Sequence, residues 1–317
     1  MGNNTDGFKI IVMSQYLGLI FLFFGFSLGL LYWSEGNVIM TLPLGIIVAL
    51  LIFFMINHFV DEKMTMARGK WKLHTKILMF CYLVLSLPVS LIILHAINVE
   101  LIEKDNLLDI SKNRVEVLSE MKEVFLQEKE YKFIEWESEL SAELAKYVSL
   151  NDPSSKRKLQ SFPYKLDLNM VTSNNRGYLS KQWLSVMDRK FSESFDPILK
   201  EMDDISKSGY EAVNNWNRLR VNEEFNRLNQ APENYKTKIE DNFRGLTRQE
   251  LTLNSVLLSP AASYLNKPLL LLEKHLNIIS IMLVVLIQIL IFLPFIVSPK
   301  ARLGSDVDDV DDESKEL

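Results

Sequence analysis

The chain has 317 residues, with 35 Lys and Arg against 40 Asp and Glu and a formal net charge of −5. No Asp, Glu, Lys or Arg falls within residues 10–34, 36–60, 77–99 or 275–299, and each window exceeds the ~20 apolar residues that a helix needs to cross a bilayer. This excludes an ordinary soluble enzyme and a disordered scaffold, and the acidic balance argues against nucleic acid as a partner.

The first window is too long for the apolar core of a secretory signal, which runs about 7–15 residues and ends at a small-residue cleavage site. It reads as an uncleaved membrane helix from Ile10 to Trp33. The helix contains Gly25-Phe-Ser-Leu-Gly29, with Gly18 one heptad earlier. Small residues at this spacing let helix backbones approach closely, so Gly18, Gly25 and Gly29 are predicted to form a helix-packing face or an oligomer interface.

Charge sets the expected orientation. The connection to the second window carries Glu35 alone, whereas the loop 61–76 holds Lys63, Arg68, Lys70, Lys72 and Lys76 against Asp61 and Glu62. Short basic loops stay in the cytoplasm. The N-terminus is therefore expected inside, residues 100–274 outside, and the C-terminus inside, with Lys9, Lys300 and Arg302 flanking the inner ends. His58 is followed by Asp61 and Glu62 at helical spacing. We read this as a polar helix end at the interface rather than a metal site.

Cys81 is the only cysteine and lies in the third window, so no disulfide staples residues 100–274. The sole glycosylation sequon is Asn3-Asn4-Thr5. Both features favour a bacterial inner membrane over a eukaryotic secretory route.

Residues 100–274 carry 26 basic and 29 acidic residues and only Gly177, Gly209 and Gly245 as glycines. A sheet-rich region would show more turn glycines and period-two alternation. From Leu91 to Asp152 there is neither Gly nor Pro, and Val117, Met121, Val124, Phe125, Phe133, Leu140, Leu144 and Val148 recur at helical spacing. A long helix is predicted there, with a break near Asn106 or Ser111 and an end at Asn151-Asp152-Pro153. Residues 151–178 read mostly as loop. Helix returns at Leu179–Phe191. Asp196-Pro197 predicts an N-cap with proline at the first helical position. Further helices are expected from Gly209 towards Gln230 and from Pro232 to Gly245. Thr247-Arg-Gln-Glu250 has the form of a capping box, with Leu246 and Leu251 as its staple. Pro268 is expected to start a helix feeding directly into the fourth span.

The predicted architecture is an all-α integral membrane protein with four transmembrane helices. Three lie in residues 1–99, then comes a helical extracytoplasmic domain at 100–274, a fourth span at 275–299 and an acidic cytoplasmic tail at 300–317. In the fourth span Gln288 is the one strongly polar residue near mid-depth, and no acid or base other than histidine lies inside any window. An ion-coupled transporter or motor stator would want an Asp or Glu at depth.

Residues 100–274 hold neither histidine nor cysteine, and no G-x-S-x-G, phosphate loop or H-E-x-x-H occurs within them. No catalytic, cofactor-binding or metal residue is therefore assigned. The tail Asp306-Val-Asp-Asp-Val-Asp-Asp-Glu313 lacks the glycine and distant glutamate of a calcium loop. The function expected is a non-enzymatic membrane subunit of a larger cell-envelope complex, of a secretion or surface machine. Its partners would be membrane lipids, other envelope proteins and a second copy of itself. A membrane sensor signalling through a separate partner, and an oligomeric channel or transporter subunit, are the alternatives.

Overall fold

The computed structural model describes residues 3–65, 71–253, 263–274 and 277–298, with side chains described from residue 11 onward. The helices in chain order are α1 (Asn3–Trp33), α2 (Val38–Thr65), α3 (Leu73–Asn98), a π-helical turn (Val99–Glu103), α4 (Lys104–Leu150), α5 (Pro153–Gln160), α6 (Arg176–Asn214), α7 (Val221–Thr247), α8 (Pro268–Lys274) and α9 (Ile278–Val297). A short 3-10 turn at Leu168–Met170 precedes α6, and no strand occurs among the described residues. Four helices are long and apolar enough to cross a membrane: Ile11–Trp33, Val38–Thr65, the helix beginning at Leu73, and Ile278–Val297. This is the pattern of a multi-pass membrane protein.

The chain divides into two compact units. The first comprises residues 1–105, 218–222 and 263–317. In it α1 packs against α2, α3 and α9. Leu22, Phe26, Ile52, Ile56, Phe59, Ile93 and Ile291 form its interior. Many other apolar residues of these helices stay exposed, among them Phe24, Ile39, Phe54, Phe80 and Met282, which is the surface a lipid-facing helix presents. The tight turn after α1 closes with the Gly36 amide donating to Leu31 O at 2.9 Å. Gly36 sits at φ +94, a region open to glycine at no steric cost.

The second unit comprises residues 106–217 and 223–262. Its α4 buries Leu107, Ser111, Arg114, Leu118, Met121 and Phe125, a run of alternating fours and threes that keeps one seam inward. Aromatic rings run through a core otherwise made mainly of Leu and Met. Trp136 meets Trp183 edge-on at 5.4 Å between ring centroids. Phe191 lies 5.5 Å from Phe195 and 6.1 Å from Phe243. Such pairs contribute about 0.5–1.5 kcal/mol each beyond the area they bury. The buried Arg114 donates to Asn229 at 3.0 Å, joining α4 to α7.

Several local expectations are corrected. The helix from α3 is irregular at the π turn Val99–Glu103, upstream of Asn106 and Ser111. Residues 153–160 are helical, because Asp152 caps the Ser154 and Ser155 amides and Pro153 fits the first turn. Asp196-Pro197 lies inside α6 rather than opening a helix. An internal proline costs about 3 kcal/mol. Burial of Phe191, Phe195 and Met202 along one face contributes about 1.5–3 kcal/mol each, which outweighs it. Pro232 lies inside α7 for the same reason, as Phe225, Leu228, Tyr235 and Ile239 are all buried. Gly209 does not break α6; a Cβ there would meet Leu228 Cβ at 2.7 Å, so glycine serves a close approach to α7.

Thr247 ends α7 instead of opening a helix. Its hydroxyl donates to Phe243 O at 2.8 Å and accepts from the Gln249 amide at 3.1 Å. Pro268 does start α8, but Asn277 has extended backbone and caps α9 separately, so α8 does not run directly into the fourth span. The acidic tail, with Lys300 and Arg302, lies outside the described residues.

Candidate functional site

Gly18, Gly25 and Gly29 of α1 face helices of the same chain. A Cβ on Gly18 would lie 2.9 Å from Ile291 of α9, and one on Gly25 would lie 3.1 Å from Ile93 of α3. On Gly29 it would run into the backbone oxygen of Ile92. Gly45 of α2 does the same towards Ser27 and Phe23 of α1. A lone glycine in an apolar span carries no spacing signal, so the sequence did not single it out.

Gln288 links α9 to α3 at depth. Its Oε1 accepts from the Tyr82 hydroxyl at 2.8 Å, and its Nε2 donates to Ser90 Oγ at 3.0 Å. Where water is absent, each of these groups needs such a partner.

A denser polar cluster lies at the end of the first unit that holds the α1–α2 turn. Glu100 Oε1 accepts from the Tyr32 hydroxyl at 2.5 Å and from Arg218 Nε at 2.6 Å. This contact with Glu100 raises the Arg218 pKa further above its usual value. The Tyr264 amide donates to Glu103 Oε1 at 3.2 Å, and Asn266 donates to Glu35 at 2.9 Å. His95 is fully buried, with one ring nitrogen 2.8 Å from Leu265 O. Among the described residues nothing hydrogen-bonds His95 Nδ1 or either atom of the buried Asn98 amide. Orphaned buried polar groups are rare and costly, about 1–3 kcal/mol each. Here they sit directly before a π turn, a feature that concentrates at functional positions. Glu100 and Arg218 are 118 residues apart in sequence, and no short motif joins them.

At the opposite end of α2, His58, Glu62 and His74 each offer one donor atom, and all three lie within 4.8 Å of one another. Asp61, next in sequence, is exposed. The sequence placed Glu62 beside His58 but gave no sign that His74, across a loop, would join them.

Chemically, the first unit offers two sets of convergent polar side chains at its two ends and a bonded amide between. Searched against protein-family models, curated proteins and solved structures, the chain matches none.

Proposed function

We propose that the chain is a non-enzymatic integral membrane subunit of a larger cell-envelope assembly, such as a secretion or surface machine, seated in a bacterial inner membrane. Both termini are cytoplasmic, and the second unit is the extracytoplasmic part that docks partner proteins. The basic loop 61–76 against the acidic turn at Glu35 supports this orientation.

One observation carries the docking role. On α4, Tyr131 and Ile134 stand one turn apart on one helix face and are 67% and 60% exposed, with the exposed Val124 two turns before Tyr131. Exposed acids Glu120, Glu123, Glu128, Glu130 and Glu135 surround them. An exposed apolar pair with a charged rim matches the anatomy of a protein-binding face, and a tyrosine within it is a favoured anchor. The complementary partner carries an apolar patch rimmed by Lys or Arg.

The test is crosslinking in native membranes followed by mild-detergent purification. The wild-type chain is expected to bring down stoichiometric envelope proteins. The double substitution Tyr131→Glu, Ile134→Glu is expected to release them while the chain keeps its tryptophan emission. Partners held equally by both forms would overturn the docking face, and a wild type with no partners would overturn the assembly role.

A second reading, a sensor signalling through a separate protein, is supported by the π turn and the orphaned His95 and Asn98 beside it. A ligand panel that raises the melting temperature of the full chain would favour it. The pore alternative has lost its residue-level argument, since both ends of the Gln288 amide are engaged within the chain.

A further inference from the structure

We propose that His58, Glu62 and His74 bind a divalent transition-metal ion of the zinc class, tying the C-terminal end of α2 to the first turn of α3. His58 and Glu62 stand four residues apart on α2, so their side chains share a face. His74 is the second residue of α3. The two imidazole rings lie 5.4 Å apart between centroids, inclined by 51°.

Glu62 supplies the carboxylate of the set. The residue is only 7% exposed. Its carboxylate accepts from the Lys72 amide at 3.4 Å, and the Lys72 ammonium is 3.6 Å away. That side chain is 68% exposed and so largely solvated. Among the described residues a long amide contact and a solvated lysine are the partners of this buried carboxylate, and such partners compensate it poorly. A cation between Glu62 and the two imidazoles compensates it directly.

The donor set selects the class of ion. Two imidazoles and one carboxylate suit zinc, nickel or cobalt, whereas calcium and magnesium prefer oxygen alone. Three protein ligands leave a fourth position of the tetrahedron for water or another donor. Metal bonds of about 2.0–2.1 Å bring tetrahedral ligands to ~3.3 Å from each other, so binding draws the three side chains inward by rotamer adjustment. The buried Thr75 hydroxyl lies 3.5 Å from His58 Nε2, where it can fix the ring once a metal holds the other nitrogen.

The experiment uses the full chain, purified in mild detergent with a histidine-free affinity tag and stripped by chelator. Zinc is titrated calorimetrically, and cobalt is followed by its visible absorption. The expected result is one saturable ion per chain, a tetrahedral cobalt spectrum, and no competition from excess magnesium or calcium. Glu62→Gln and His74→Ala are expected to weaken binding by more than about tenfold, with Cys81→Ser unchanged. Zinc should raise the melting temperature of the wild type and not of the two variants. No saturable zinc binding by the wild type would overturn the site, whatever the variants do. So would binding that survives intact in both variants.

Discussion

Asp152 stands at the N-terminus of α5, where its carboxylate accepts from the Ser154 amide at 3.3 Å, the Ser155 amide at 3.1 Å and the Ser155 hydroxyl at 2.9 Å. The Ser155 hydroxyl, followed by the two amides, holds its carboxyl below the usual carboxylate range. That hydroxyl has one proton and also lies 2.6 Å from Glu143, so it serves one carboxylate at a time. Lys158 at 3.2 Å and Lys146 at 3.4 Å support Glu143 in addition. Because the folded pKa of Asp152 is depressed, its contribution is present above the ordinary carboxylate value. It is lost as pH falls through the lower, folded value. Asp152→Ala should therefore speed hydrogen exchange at the Ser154 and Ser155 amides near neutral pH, and the gap from wild type should close on acidification. Asp152→Asn keeps a capping oxygen that does not titrate, so its exchange relative to Asp152→Ala should not change over the same range. A gap between wild type and Asp152→Ala that is independent of pH would show that the ionised cap does not hold this turn.

At the scale of elements, the glycine positions of α1 give a ranked expectation. Gly29→Ala places a methyl against the Ile92 backbone, which cannot give locally, and should cost about 1–3 kcal/mol. Gly25→Ala meets the side chain of Ile93 at 3.1 Å, which can turn aside, and should cost less. Gly245→Ala in α7 meets nothing within 4 Å and should stabilise by about 0.5–1 kcal/mol through helix propensity. Thermal unfolding in detergent followed by circular dichroism checks the order, and a reversal of the first two would contradict the α1–α3 contact. These cases also show what the sequence makes legible. Long apolar runs and a Gly- and Pro-free stripe identify α1 to α4 and α9, because their signal is repeated over many turns. Pro197, Gly209 and Pro232 misled because local punctuation was outweighed by burial of Phe191, Phe195, Phe225 and Tyr235, which depends on partners distant in sequence. Gln288 was visible as a lone amide in a span, but its partners Tyr82 and Ser90 were not. His74 and the Glu100–Arg218 pair were equally hidden, since chain reversal alone brings such groups together.

For the whole molecule, the two units rest on different physics. The first has an interior of Leu, Ile and Phe and an apolar exterior suited to lipid, where dispersion and a few interhelical hydrogen bonds hold helices together. The second has a charged exterior and an interior of Leu, Met and aromatic side chains, so its stability comes from removing apolar surface from water. Denaturant acts on the second kind of stability in proportion to the surface exposed on unfolding. Urea in mild detergent is therefore expected to unfold the chain in two transitions, the first reported by Trp136 and Trp183. Phe191→Ala removes a ring that is 1% exposed and should lower the stability of that first transition by about 3–5 kcal/mol, leaving the second in place. Gln288→Leu should leave the first transition alone and weaken the second by about 0.6–2 kcal/mol, the range of interhelical hydrogen bonds in membranes. If the units unfold independently, the double variant should show both shifts added. A single transition moved by either substitution would mean that the units unfold as one, because each would then report on the same equilibrium.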